Sequence, residues 1–372
     1  MTHLTNDPYG AFKSVRYFSG LDALRALSVI AVIWSHVGGY QGGGLLGEGR
    51  RGVDLFFAIS GFLVTTLLVR ERDRTGRVSL QDFYVRRTLR IFPLYYAILA
   101  LYCIVVFLTL QDTVKGAEFW TNLPYFITYT SNWFVDPAAA GDRGATFYFA
   151  WSLATEEQFY LFWPPLMVLL LKATGRTWTL PVAALLLLAL KVAVTPFDGT
   201  SLPATIVASL SPAILFGVAF ALVLNNRRAF NQFYPALGSP VAAPVAALVL
   251  LLLLQFDGNW LAVRLAMAVL VASLCVREDT WLHPFLTWRS LGYLGTISYG
   301  IYLMHMLAAN AARLVLHHQS GMDVFIATTF GAAVAASLSF RFFEAPLLRL
   351  KSRLTGHRPD TERVPARDSA QA

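Results

Sequence analysis

Long runs of apolar residues, separated by short polar connections, cover most of the chain. A helix that spans a membrane needs about 20 consecutive, mostly apolar residues, with a range of roughly 17–25. The apolar runs that fit this length lie near residues 19–37, 52–69, 88–110, 146–171, 178–195, 202–224, 240–256, 261–276, 291–316 and 322–343. The pattern therefore predicts an all-α fold, a polytopic membrane helix bundle of about ten transmembrane helices.

Polar segments at the two ends divide the chain into three parts. Residues 1–18 are predicted to be an N-terminal tail, and residues 19–346 the transmembrane domain. Residues 347–372 are polar and contain proline, so we expect a disordered tail. The first apolar run is long enough to remain in the membrane as a span, so we expect no cleavable signal peptide.

Basic residues are divided unevenly between the two sets of connections. The set that includes both tails holds 21 of the 30 lysines and arginines when Arg341 is counted with the C-terminal tail, whereas the opposite set holds 6 with Lys191 and Arg313. The other three, Arg25, Arg90 and Arg264, fall within predicted spans. Because basic loops stay cytoplasmic, both termini are predicted to be cytoplasmic, which requires an even number of spans.

Composition agrees with a membrane class. The chain is 56% hydrophobic and 14% charged, against roughly 25% charged residues in soluble domains. The net charge of +8 comes from basic residues that are concentrated in the connections on one side. We therefore expect the lipid bilayer as a partner and no nucleic acid. Cys103 and Cys275 lie in apolar runs, and neither a disulfide nor a metal site is predicted.

The first span carries Asp22, Arg25 and His36, and Arg25 lies eleven residues before His36. Eleven residues advance a helix by about 1100°, which is about 20° from three full turns, so the two side chains share a face. They lie about 16 Å apart along the axis, with Arg25 nearer the cytoplasm. Alternatively, Arg25 could snorkel to headgroups and His36 could be an interfacial residue.

The second span, "GVDLFFAISGFL", carries a carboxylate, Asp54, near its outer end. A carboxylate at the depth of His36 would fix the tautomer of the imidazole and raise its basicity. Alternatively, the helix dipole alone would stabilise Asp54 at the helix N-terminus.

The third span begins with three arginines in "RRTLR", Arg86, Arg87 and Arg90. Arg86 and Arg90 are four residues apart, and Arg87 and Arg90 three apart, so they lie on one side of a helix. Guanidinium groups that converge at a cytoplasmic mouth suit phosphates. They could instead hold anionic lipid headgroups.

Two further spans carry polar residues near mid-membrane. Glu156 and Glu157 are adjacent and point about 100° apart, so at least one must face a polar interior. Tyr302 and His305 lie in "SYGIYLMH" and could contact substrate or form hydrogen bonds between helices. Together these residues predict a polar passage through the bundle.

These motifs resemble the acyltransferase-3 family of integral membrane O-acyltransferases. The resemblance rests on Arg25 with ten residues before His36, on "GVDLFFAISGFL", on "RRTLR" and on "WSLATEEQFYL", in that order. It covers residues 19–346 and implies ten core spans in the inner (plasma) membrane. It implies no metal.

The resemblance also implies an activity. Family members move an acyl group, usually acetyl, from cytoplasmic acetyl-CoA to a hydroxyl, often on a cell surface polysaccharide, a lipopolysaccharide or a macrolide. His36 would be the essential histidine and Arg25 its companion. Arg86, Arg87 and Arg90 would contact the coenzyme phosphates.

The resemblance gives the remaining polar residues candidate roles. We expect His36 to act as general base, oriented by Asp54 or Glu157, although a covalent acyl-histidine remains open. Glu156, Tyr302 and His305 are candidates for binding substrate. The aromatic segment 119–134 could hold sugar rings or anchor the chain at the interface.

Some members of that family carry a soluble esterase-like domain after the last span. The chain continues for 26 residues beyond "EAP", so we expect this domain to be lacking.

Two other classes of protein fit the same spans. A polytopic transporter of a polar or acylated small molecule would also have buried charge, although we find no pair of interrupted halves of the inverted-repeat kind. A catalytically silent scaffold would tolerate charge-neutral replacements at Arg25 and His36.

Overall fold

The computed structural model describes residues 7–40, 42–136 and 146–354, with side chains as far as residue 349. Throughout these ranges the regular structure is helical, without strands. The α-helices are α1 (Pro8–Ser14), α2 (Ser19–Val37), α3 (Gly52–Thr75), α4 (Leu80–Thr109), α5 (Val114–Ile127), α6 (Ser131–Phe134), α7 (Trp151–Thr174), α8 (Thr179–Val194), α9 (Leu202–Ala208), α10 (Pro212–Leu224), α11 (Arg227–Leu237), α12 (Ala242–Gln255), α13 (Trp260–Val276), α14 (His283–Leu286), α15 (Arg289–Thr296), α16 (Ser298–Leu316), α17 (Met322–Ser339) and α18 (Ala345–Leu354).

Several helix ends follow from local sequence. Ser79 precedes α4, and its side-chain oxygen accepts a hydrogen bond from the backbone N–H of Asp82 at 3.3 Å. Asn259 caps α13 in the same way, through the N–H of Leu261 at 2.9 Å. Such caps satisfy N–H groups that have no partner in the first turn. Gly76 ends α3 with φ at +76°, a conformation that glycine adopts without strain.

The molecule is a multi-pass membrane helix bundle. Among the described residues, five helices are long and apolar enough to cross a membrane, or seven if each of two bent pairs counts as one span. The bent pairs are α9 with α10, at 53°, and α11 with α12, at 72°. The predicted count of ten is not confirmed, because α7 and α16 are long but rich in polar residues and α13 has only 17 residues.

Two ends of the bundle can be defined by contacts. Arg70, late in α3, donates hydrogen bonds to the carbonyls of Phe12 and Val15, at 2.8 and 2.5 Å, so the start of α2 and the end of α3 lie together. We call this the inner end, because it is the predicted cytoplasmic side. At the other end, the outer end, Arg313 of α16 donates to the carbonyl of His36 at 3.1 Å.

The segments predicted as tails are partly helical. Residues 8–14 form α1, whose Phe12 is buried and whose Tyr9 donates to the carbonyl of Asn225 at 2.8 Å. At the other terminus, α18 continues to Leu354. Residues 1–6 and 355–372, which belong to the predicted tails, lie outside the described residues.

The α3 and α10 helices cross closely through two glycines. A Cβ atom on Gly61 would overlap the carbonyl of Ile214, and one on Gly217 would overlap the carbonyl of Ala58. Small residues allow helix backbones in membranes to approach in this way. This crossing fixes the position of α3, which lines the polar cavity described below.

We therefore expect Gly61→Val to lower the stability of the detergent-solubilised protein, because overpacking a tight core contact typically costs about 1–3 kcal/mol. Gly292→Ala is a matched control, since a Cβ at this position would meet open space. Thermal unfolding measures both variants. Equal unfolding temperatures for the two would contradict this account of the crossing.

Candidate active site

A polar cavity of about 90 Å³ lies inside the bundle, between α2, α3, α4, α7 and α16. It is large enough for several water molecules, since one needs roughly 10–15 Å³. Three arginines line it, Arg25, Arg87 and Arg90. Two carboxylates, Glu156 and Glu157, line it as well.

The arginines reach the cavity from two helices. Arg25 of α2 pairs with Asp22 at 3.1 Å, and its side chain is 21% exposed. The Arg87 guanidinium lies 4.4 Å from the centre of the Tyr160 ring, a cation–π contact. Arg90 follows Arg87 by three residues and lines the same cavity.

The structure separates Arg86 from this group. Arg86 pairs with Glu71 at 3.4 Å and is outside the cavity lining. Adjacent residues on a helix point about 100° apart, so Arg86 and Arg87 cannot both face the interior. Of the predicted phosphate-binding arginines, the cavity thus brings together Arg87 and Arg90, and it adds Arg25.

The two glutamates differ in their contacts. Glu156 accepts hydrogen bonds from the hydroxyls of Ser60 and Tyr160. Glu157 faces the cavity beside it. Glu157 was also expected to orient His36, but the structure places it among the arginines of the cavity, whereas His36 does not line the cavity.

Tyr302 ends the cavity toward the outer end. Its hydroxyl lies 2.6 Å from the Ser152 hydroxyl and donates to the carbonyl of Phe149 at 2.9 Å. The side chain is 6% exposed. These bonds hold the Tyr302 ring between the cavity arginines and two histidines, His36 and His305.

His36 and His305 contact each other beyond Tyr302, outside the cavity lining. The centres of their rings are 5.0 Å apart, with the planes at 63°. The His36 side chain is exposed at the outer end, and its Nδ1 lies 2.8 Å from the carbonyl of Val32. Because a carbonyl only accepts, we assign the hydrogen to Nδ1, which leaves the lone pair on Nε2 available to a substrate.

The predicted pairing of His36 with Asp54 does not form. Asp54 is bound by Arg264 at 2.8 Å and by Arg51 at 3.6 Å. The reason is the level at which α3 begins. Gly52 packs against the carbonyl of Ser28, eight residues, or about 12 Å of helix, before His36. The Val32 carbonyl instead holds the imidazole.

Asp54 is therefore expected to stabilise the folded protein through its ion pair with Arg264. Removing one partner of a largely buried ion pair leaves the other charge uncompensated and costs up to about 3–5 kcal/mol. We expect Asp54→Asn to lower the thermal unfolding temperature, and the double variant Asp54→Leu with Arg264→Leu to recover part of the loss. If Asp54→Asn unfolds like the wild type, Asp54 has another role.

The aromatic segment 119–134 packs into the bundle as α5 and α6. Tyr129 stacks on Tyr95, with 4.3 Å between ring centres, and the Tyr95 hydroxyl donates to the carbonyl of Phe126 at 2.8 Å. Tyr95 lies midway along α4, so the segment folds back alongside that helix. Residues 137–145 of the same connection lie outside the described residues.

Sequence reasoning missed several residues of the cavity. Four residues with hydroxyl groups also line it, Ser60, Ser152, Tyr160 and Tyr299. A signal was present for two of them, because Ser152 and Tyr160 lie four residues before and after Glu156, on one face of α7.

The fold and this cavity define a class, a polytopic helical membrane protein with a cationic internal pocket and a histidine pair toward the opposite end. The chain matches the family model described as "Acyltransferase domain" over residues 18–341. It therefore belongs to the acyltransferase-3 family.

Curated relatives carry related names. "Putative peptidoglycan O-acetyltransferase YrhL" of Bacillus subtilis is 30% identical over 94% of this chain and 57% of its own length. "Peptidoglycan O-acetyltransferase OatA" of Listeria monocytogenes is 28% identical over 90% of this chain and 56% of its own length. The chain thus spans under three-fifths of the length of these relatives. No solved structure matches it.

Proposed function

We propose that this protein is a membrane O-acyltransferase that moves an acetyl group from acetyl-CoA to a hydroxyl group of a glycan, with His36 as the general base. The observation that carries the proposal is the order of the polar groups from the inner end of the bundle to its outer end. Three guanidinium groups share an internal cavity, and a histidine with an available Nε2 lies beyond Tyr302, which ends that cavity.

The arginine cavity suits the donor. Coenzyme A carries several phosphate groups, and guanidiniums bind phosphates through paired, charge-assisted hydrogen bonds. The cavity lies near the inner end, the side predicted to be cytoplasmic, where acyl-CoA is available. The thioester end of the donor must pass Tyr302. The hydrogen bonds of the Tyr302 hydroxyl with Ser152 and Phe149 therefore open during the reaction.

His36 suits the acceptor step. Its Nε2 accepts the proton of the acceptor hydroxyl while that oxygen attacks the thioester carbonyl, and the C–S bond of the donor then breaks. General base catalysis of this kind contributes about 10²–10⁴ in rate. The Val32 carbonyl holds Nδ1–H and keeps the lone pair on Nε2. The same tautomer would also serve a covalent acyl-histidine, which transfer of labelled acetyl from acetyl-CoA to the protein in the absence of an acceptor would reveal.

The acceptor is proposed to be a cell-wall glycan, since relatives are named as peptidoglycan O-acetyltransferases. His36 is exposed at the outer end, which suits a bulky acceptor outside the plasma membrane.

Transfer in a purified system tests the proposal. Protein reconstituted in liposomes receives radiolabelled acetyl-CoA and a peptidoglycan fragment, and alkali-labile acetyl ester on the fragment is counted. We expect ester formation that depends on protein and on both substrates. Folded protein that forms no ester, but carries the fragment or an acylated small molecule across the membrane without a donor, would support the transporter instead.

A further inference from the structure

A fully buried histidine lies between the polar cavity and His36. His305 of α16 is 0% exposed. Its ring centre is 5.0 Å from that of His36 and 5.5 Å from that of Tyr302, the residue that ends the cavity. The order of side chains from the cavity outward is thus Tyr302, His305 and His36.

The hydrogen bonds of His305 define its tautomer. Nδ1 lies 2.5 Å from the backbone carbonyl of Tyr302, so Nδ1 carries the hydrogen and Nε2 carries a lone pair. Nε2 is the more distal ring nitrogen, and because Nδ1 is held by the helix backbone it is directed away from α16.

That lone pair has no hydrogen-bond partner among the described residues, although it is buried. A buried acceptor without a partner costs about 1–3 kcal/mol, and such groups are rare unless they serve a purpose. Asparagine or phenylalanine would fill similar space. The position beside the catalytic base indicates that the lone pair is used during the reaction.

We propose that His305 is a second catalytic histidine, which delivers the proton to the departing sulfur of the donor. This role rests on the function proposed above. The acceptor O–H bond breaks and its proton goes to Nε2 of His36. As the acyl C–O bond forms, the C–S bond breaks and its electron pair goes to sulfur. His36 passes the proton to Nε2 of His305, and His305 gives it to the thiolate, so both imidazoles return neutral.

The order of the groups explains why two imidazoles are used. The donor sulfur arrives from the cavity past Tyr302 and meets His305 first, whereas the acceptor hydroxyl arrives at His36, which is exposed at the outer end. Throughout the cycle the Tyr302 carbonyl can keep Nδ1–H of His305 in place, so only Nε2 gains and loses a proton.

Two replacements separate this role from packing. His305→Phe keeps an aromatic ring against His36 and Phe149, while His305→Gln keeps hydrogen-bonding groups, and neither relays a proton. Met304→Leu, a buried neighbour on the same helix, is the matched control. We expect both His305 variants to lose about 100-fold in kcat with acetyl-CoA, with KM for acetyl-CoA little changed. A His305→Phe enzyme within about threefold of the wild-type kcat overturns the proposal.

A donor with an easier leaving group provides a second readout. p-Nitrophenyl acetate releases a phenolate that needs no proton, so the His305 variants should lose far less with it than with acetyl-CoA. Equal losses with the two donors overturn the proposal. If the wild type does not use the aryl ester, the kcat comparison with acetyl-CoA decides alone. His36→Ala should lose transfer with either donor, and if it retains transfer, the role of His36 as base, on which this relay depends, fails.

Discussion

His36→Ala should lower the rate of acetyl transfer by a factor of about 10²–10⁴, while the amount of folded protein in the membrane stays unchanged. The imidazole is the group proposed to take the acceptor proton, and alanine has no lone pair to replace Nε2. Its side chain is exposed at the outer end, and alanine is favoured in helices, so we expect the variant to fold. Ester formation, normalised to protein extracted from the membrane, measures the effect.

His318→Ala is the matched control for this loss. His318 is another exposed histidine near the outer end, and it pairs with Asp323 at 2.7 Å rather than with the histidine pair. We expect its activity to remain near the wild-type level. A His36→Ala enzyme that keeps more than about a tenth of the wild-type rate would remove His36 as the base.

Arg87→Ala should raise KM for acetyl-CoA by about 10-fold to 100-fold, whereas Arg86→Ala should leave it nearly unchanged. Hydrogen bonds to charged groups contribute about 1.5–3 kcal/mol, and each 1.4 kcal/mol is tenfold in affinity. The two residues are adjacent and identical in type, but Arg87 lines the cavity and Arg86 pairs with Glu71. Steady-state kinetics with varied acetyl-CoA separates them.

Arg25→Ala extends the same comparison to α2. If the donor phosphates lie in this cavity, it should raise KM as Arg87→Ala does. An equal rise in KM for Arg86→Ala would instead indicate a binding site at the inner surface, outside the cavity.

The face shared by Arg25 and His36 could be predicted from sequence, because it depends only on the geometry of one helix. In the structure Arg25 lines the cavity and His36 is exposed at the outer end. The identity of the arginines that share the cavity could not be predicted. That depends on how α4 is rotated against α7, where Arg87 packs over Tyr160.

The pairing of Asp54 failed for a similar reason. Sequence gives the start of α3 but not its depth relative to α2. The connection before α3 folds back along α2, where the Trp34 indole donates to the carbonyl of Leu46 at 2.8 Å, and Gly52 then meets Ser28. Long-range contacts of this kind leave no periodic signal in the sequence.

The number of spans stays a prediction, because the hydropathy pattern alone does not settle it. Apolar runs that read as single spans contain breaks, such as the 53° bend between α9 and α10. The segment 119–134 reads as an external loop, yet its Tyr129 and Phe126 pack against α4. Hydropathy measures the preference of a segment for an apolar environment and does not distinguish lipid from protein interior.

The central claim is that one cavity holds the phosphates of the donor and presents its acetyl group to His36. A cryo-EM structure of His36→Ala with acetyl-CoA tests it most directly. We predict phosphate oxygens within about 3 Å of at least two of the Arg25, Arg87 and Arg90 guanidiniums, with the acetyl group beyond Tyr302, beside His305. Phosphates bound elsewhere, or an acetyl group held on the arginine side of an unbroken Tyr302–Ser152 contact, would contradict the account.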